Sequence, residues 1–266
     1  MLSEQQIQIQ VHGDPGKQTL IYLPGMHGDC TLVSSFRAAL KGRVRFVEIT
    51  YARTANWDLG QYAGAVLATL REKQIHDGWI LGESFSSQVA WAMLSRAGKD
   101  QFQATGLILA GGFVRHPVMT MVYLAHCLNR LMPMWVLKLL CQIYARYAKL
   151  RHRQAPETLA CIADFVKNRT SEPDRQAICH RYSLISKNDL RSIARNTVLP
   201  VYQICGFFDP IVPWPFVQPW LKRNCPGFRG WKVIWRADHN VLGTAPQAAA
   251  ECILRWMKST HDVVLP

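Results

Sequence analysis

Three residues of this sequence could form one catalytic relay: Ser84, Asp209 and His239. A serine hydroxyl attacks poorly unless a base takes its proton, and that base needs an acid to fix its tautomer and steady its charge. The residues occur in the order serine, acid, histidine. Each closely follows an apolar run. Ser84 lies in "WILGESFSSQ" (Trp79 to Gln88), Asp209 in "FFDPIVP" after "VYQICG", and His239 in "DHNVLG" after "WKVIWRA". The chemistry such a set performs is acyl transfer, by attack of the hydroxyl on an ester or thioester carbonyl.

The serine stands in Gly82-Glu83-Ser84-Phe85-Ser86, a G-x-S-x-G pattern whose last glycine is replaced. A nucleophile held in a sharp strand-to-helix turn needs small residues two before and two after it. Gly82 meets this fully. Ser86 adds a Cβ and a hydroxyl, the next size up after alanine, and is read as tolerated. The other reading makes Ser84 an ordinary helix cap. Asp238 competes with Asp209 for the acid, but adjacent side chains rarely face one another and Asp238 has no strand end of its own. Acyl transfer also needs N–H donors aimed at the developing oxyanion. The N–H of Phe85 is one candidate. The loop "LPGMHGD" (Leu23 to Asp29) offers the second, from Met26 beside Gly25; a reading in which Gly28 or Asp29 donates after His27 remains open.

These residues need a frame that brings strand ends together. Ile7–Val11, Thr19–Leu23, Val44–Thr50, Gly78–Leu81, Thr105–Ala110, Leu199–Gly206 and 231–237 read as strands. Residues 31–41, 59–74, 85–96, 214–223 and 245–258 carry helical spacing. Alternation of this kind predicts an α/β fold, with a mostly parallel sheet covered on both faces. The first two strands are joined too tightly for a parallel crossover and should run antiparallel. Residues 115–195 read as helices alone. They are expected to form a cap inserted into a core domain made of 1–114 and 196–266. Sites in such sheets form at the C-terminal ends of the strands, where all three relay residues fall.

The 266 residues are 49% hydrophobic and 18% charged, enough for one core with an insertion. The formal charge is +13. Residues 115–195 hold fourteen Lys or Arg and five Asp or Glu, so most of the excess sits in the helical segment. The basic residues are not clustered with interleaved aromatics, which argues against nucleic acid. An acidic partner or anionic surface suits them better. The exposed candidates are Arg146, Lys149, Arg151 and Arg153, as solvated charge, as a docking face for an acidic acyl carrier protein, or as a contact with anionic lipid. Within the same segment Leu124, Leu128 and Trp135 are expected to line an acyl pocket together with Met26. Eight cysteines lie scattered without a C-x-x-C pair, so free thiols in a reducing compartment are expected, and no metal or other cofactor is implied. The start "MLSEQQIQIQVHG" lacks the features of a signal peptide, and "PVMTMVYLAHCLNRLMPMWVLKLLCQIY" is interrupted too often to span a bilayer. A cytoplasmic protein is expected.

Over nearly its whole length the chain resembles the α/β-hydrolase superfamily. "YLPGMHGD", "ILGESFSSQVA", "LILAGGFVRHP", "GFFDPIVP" and "ADHNVLGTAP" are similar to the small bacterial hydrolases with a Leu-Pro-Gly-apolar-x-Gly loop. These include carboxylesterases and pimeloyl-acyl-carrier-protein methyl ester esterases. The resemblance implies an esterase with Ser84, Asp209 and His239 as triad and Met26 and Phe85 as oxyanion donors. Carrier-bound ester or thioester substrates are a narrower alternative, and a catalytically silent binding protein is another. Serine at position 84 is unlike the aspartate that dehalogenases and epoxide hydrolases carry there.

Overall fold

The computed structural model describes residues 6–96, 102–151 and 171–259, with 159, 160, 162, 163 and 166 between the last two. Seven strands form one sheet in the order β1-β3-β2-β4-β5-β6-β7. They are β1 Gln8–His12, β2 Thr19–Leu23, β3 Arg45–Thr50, β4 Asp77–Glu83, β5 Gln103–Ala110, β6 Val201–Gly206 and β7 Phe228–Ile234. All neighbours are parallel except β1, which runs antiparallel to β3. The first strand therefore has the expected direction, but β3 lies between it and β2. The last strand begins three residues earlier than its apolar run suggests, which leaves a longer loop before His239.

The sequence alternation explains the layers. In β2, Ile21 and Leu23 face one side with Val47, Ile49, Ile80 and Leu107. Leu20 and Tyr22 face the other with Phe46, Trp79, Leu81 and Ile108. Helices α2 (Leu59–Glu72) and α3 (Ser86–Arg96) cover the first face. Helices α1 (Ser34–Leu40) and α10 (Pro246–Ser259) cover the second. Strands buried on both sides must be apolar throughout, as these are. Helix α2 starts at a reciprocal cap, where the Asp58 carboxylate accepts from Gln61 N–H and the Gln61 side chain accepts from Asp58 N–H.

Between β5 and β6 the described residues hold helices and no strand: α4 Met119–Leu131, α5 Met134–Arg151, α6 Glu172–Lys187 and α7 Arg191–Arg195. Helix α4 packs on α6. Three more helices follow β6: α8 Trp214–Asn224, α9 Val241–Thr244 and α10. The strand order reverses between β2 and β4, whose neighbours in sequence lie on opposite sides. Their C-terminal ends stand side by side, with Leu23 opposite Gly82. A crevice at such a reversal is where open parallel sheets bind ligands.

Candidate active site

Ser84 leaves the end of β4 with φ of +51°, a conformation that a side chain other than glycine rarely takes. Its N–H donates to the Ala110 carbonyl at 2.9 Å, and its own carbonyl accepts from Ser87 N–H at 3.0 Å and Ser87 Oγ at 2.6 Å. The turn is thus pinned on both sides of the strained residue. A Cβ built on Gly82 would lie 2.9 Å from the Ser86 carbonyl oxygen and 3.2 Å from Ala90 Cβ. Glycine at position 82 is therefore required by space.

Ser84 Oγ lies 2.8 Å from His239 Nε2, and His239 Nδ1 lies 2.9 Å from Asp209 Oδ2. The other Asp209 oxygen accepts from the N–H groups of Ile211 and Val212, both at 2.9 Å. The carboxylate is thereby aimed, with one oxygen left for the imidazole. Asp238 faces elsewhere: its carboxylate accepts from Asn240 N–H at 3.0 Å and Thr244 Oγ at 3.3 Å. Burial opposes a charged His239, but the hydrogen bond and charge of Asp209, helped by Glu83 and Asp238, raise its pKa above the ordinary histidine value. Gly111, at φ +55°, lets the ring approach; a Cβ there would lie 3.2 Å from His239 Nδ1.

The loop after β2 runs alongside. A Cβ on Gly25 would be 3.7 Å from Ser84 Cβ, an ordinary contact, so the loop is near the nucleophile without glycine being sterically demanded. Gly28 N–H donates to the Gly25 carbonyl at 3.0 Å, which takes it out of consideration as an oxyanion donor. Among the described residues no acceptor meets the N–H of Met26 or of Phe85. Paired backbone groups are the rule in protein interiors; Phe85 follows the serine in sequence, and Met26 follows Gly25, whose loop approaches it.

Several groups in this site carry no recognisable motif. Arg181, on α6, is 1% exposed. It donates to the Met26 carbonyl at 2.6 Å and the Ala52 carbonyl at 3.2 Å, and stacks near the rings of Tyr51, Tyr62 and Phe85. Gly28, at φ +79°, leaves room for its guanidinium. The Ser86 hydroxyl donates to the Pro24 carbonyl and accepts from Tyr51 at 2.7 Å. Burial raises the Glu83 carboxyl's pKa, while a hydrogen bond from Tyr22 and another from the Gly25 N–H oppose the rise. His116 donates from Nε2 to the Ile211 carbonyl at 3.0 Å, joining the chain after β5 to the Asp209 loop. In sequence an arginine at helical spacing reads as solvated charge, and only the folded neighbours distinguish Arg181 from it.

Of the expected acyl-pocket residues, Leu124 and Leu128 are exposed and Trp135 is 69% exposed. The reason is local: α4 turns Val122 inward as its buried residue, and these three lie on its outer side or beyond its end. Met26 remains beside the site, packed against the core. Arg146 is exposed on α5. Arg153 and the side chains of Lys149 and Arg151 lie outside the described residues.

No family model matches the sequence, and no curated protein matches it. Solved structures do. An enol-lactonase from Burkholderia xenovorans LB400 superposes with a TM-score of 0.76 at 18% identity, covering 95% of this chain and 96% of the other. A thermophilic esterase from Thermogutta terrifontis gives 0.73 at 17%, over 96% and 94%. An esterase from Exiguobacterium antarcticum gives 0.73 at 15%, over 95% of each chain. The chain has the α/β-hydrolase fold over nearly its full length, and esterases and a lactonase are among the structures that share it.

Proposed function

We propose that this protein is a serine hydrolase that cleaves carboxylic esters through an acyl-enzyme on Ser84. The observation that carries the reading is the continuous relay Ser84 Oγ–His239 Nε2 and His239 Nδ1–Asp209 Oδ2, at 2.8 and 2.9 Å, built on a strained turn. His239, neutral and donating from Nδ1 to Asp209, takes the Ser84 proton as the oxygen attacks the carbonyl carbon. The Met26 and Phe85 N–H groups hold the tetrahedral oxyanion. The imidazolium then gives its proton to the leaving oxygen, and the acyl group stays on Ser84. Water repeats the path: His239 takes its proton, the acid departs, and Ser84 recovers its hydroxyl.

The fold neighbours are consistent with this chemistry, since an enol-lactone is itself a cyclic carboxylic ester. The helices described between β5 and β6 act as a cap on the core. The scattered cysteines suit a reducing compartment such as the cytoplasm. A carrier-protein-bound acyl ester or thioester is the narrower alternative substrate. A chain-length series of p-nitrophenyl esters run beside an acyl-carrier-protein methyl ester separates the two. The central test is Ser84→Ala: hydrolysis and labelling by a fluorophosphonate should both vanish while the fold persists. Retained turnover, or labelling of another serine, overturns the assignment and leaves a silent hydrolase-fold binder.

A further inference from the structure

The end of the sheet that carries the relay leaves much apolar side chain in water. On α5, Trp135, Leu139 and Ile143 follow one another at helical spacing of four, and all are exposed. On α4 Leu128 is exposed and Leu131 is 79% exposed. None of the described α5 residues is buried. A second group, Phe208, Ile211, Phe216 and Trp235, is exposed in and after the loops that follow β6 and β7. Strands β5, β6 and β7 are parallel, so the segments that follow them all leave from the C-terminal end of the sheet. The His116–Ile211 hydrogen bond ties the start of the helical segment to that end. Soluble monomers rarely expose apolar surface so extensively unless something covers it.

Charge indicates what covers it. From Gln101 to Pro156 the sequence has seven Lys or Arg and no Asp or Glu. Arg130, Lys138 and Arg146 are exposed on the same two helices as the apolar rows. Apolar and aromatic residues along one helix face, with cations beside them and no anions, suit the boundary between lipid headgroups and acyl chains. Anionic headgroups attract the cations, and the hydrocarbon edge takes Leu131, Leu139 and Ile143 out of water. A bilayer meets both features at once along an extended face, the cations with its headgroups and the aliphatic rows with its hydrocarbon edge. No described helix is long and apolar enough to cross a membrane, so the contact is with the surface. We propose that α4, α5 and the loops after β6 and β7 form a docking surface for an anionic phospholipid bilayer. It would turn the Ser84 end of the sheet toward lipid-borne ligands. The proposal goes beyond the esterase reading and does not depend on it.

The test is flotation of the full chain with vesicles of phosphatidylcholine alone and of phosphatidylcholine with phosphatidylglycerol. The protein should float with the mixed vesicles and much less with the neutral ones. Arg130→Gln, Lys138→Gln and Arg146→Gln together should weaken binding about a hundredfold, since each cation near such a surface contributes roughly a factor of five. Leu131→Gln, Leu139→Gln and Ile143→Gln together should abolish it, with circular dichroism unchanged because the side chains are exposed. Ser84→Ala should float as the wild type does, which keeps this result separate from the fate of the esterase assignment. Absence of flotation with mixed vesicles overturns the proposal. So does flotation that survives the leucine and isoleucine changes. A dimer in light scattering that those changes dissociate, with no vesicle binding, would assign the face to a second copy instead. Binding of an acidic acyl carrier protein in place of vesicles would assign it to that partner.

Discussion

The Arg181 guanidinium donates to the carbonyl oxygen of Met26 at 2.6 Å, and so a helix outside the sheet holds the peptide loop beside Ser84. The contact orients the Met26 residue whose N–H is the proposed oxyanion donor. The guanidinium also lies by the ring of Phe85, the other proposed donor. Arg181→Met should lower kcat by roughly 10- to 100-fold with KM little changed, because an oxyanion donor acts mainly in the transition state. Affinity for a boronic acid that forms a tetrahedral adduct should fall in parallel. A purely structural role would lower stability without changing the kcat of the folded fraction. Arg181→Lys, which keeps the charge and one donor, should recover part of the loss.

The proposed mechanism sets a pH dependence. His239 must be neutral to accept the Ser84 proton. Asp209 raises its pKa above the ordinary histidine value of about 6.5. The acid limb of kcat/KM should therefore have its midpoint above that value. Asp209→Asn removes the chief stabiliser of the imidazolium, so the limb of the residual activity should move to lower pH. The same change should cut kcat by roughly 10⁴-fold, the loss known for an equivalent triad. Asp238→Asn should do far less, since its carboxylate serves Asn240 and Thr244. Reversed magnitudes would put the acid at Asp238.

Gly82 tests the turn itself. A valine side chain would begin 2.9 Å from the Ser86 carbonyl oxygen and 3.2 Å from Ala90 Cβ, both parts of a packed helix start. Overpacking of this kind costs roughly 1–3 kcal/mol or more. Gly82→Val should lower the melting temperature and the fraction of Ser84 that a fluorophosphonate labels. A stable, fully labelled variant would mean that Ser84 does not sit in a strained turn.

Much of this site was legible because local chemistry announces it. Gly82 and Ser84 sit where an apolar run gives way to a helix, and Asp209 and His239 lie in loops after other apolar runs. Those signals placed the relay and the parallel sheet. Arg181 was not legible, because its burial depends on Gly28, Ala52 and Tyr62, which are distant in sequence. The outward turn of Leu124, Leu128 and Trp135 was hidden for a related reason. Helical spacing shows that residues share a face, and tertiary packing decides which face turns inward. The pairing of β1 with β3 rather than β2 likewise depends on long-range register.

At Ser86 the folded neighbours reverse the reading from size alone. As a mere enlargement of glycine, Ser86 could be trimmed back at no cost. Its hydroxyl instead donates to the Pro24 carbonyl and accepts from Tyr51, in a fully buried position. It thereby ties the start of α3, next to the nucleophile, to the loop that holds Met26. Burial raises the Tyr51 phenol's pKa, so that group stays protonated and needs an acceptor. Ser86→Gly would leave the Tyr51 hydroxyl and the Pro24 carbonyl without this partner, at about 1–3 kcal/mol for buried groups left unpaired. The melting temperature should fall, and kcat should fall more than KM rises as the loop loses its tie. Ser86→Ala isolates the cause, since it keeps the Cβ and deletes only the hydroxyl. If alanine matches the wild type in both stability and kcat, the hydroxyl does not hold the loop.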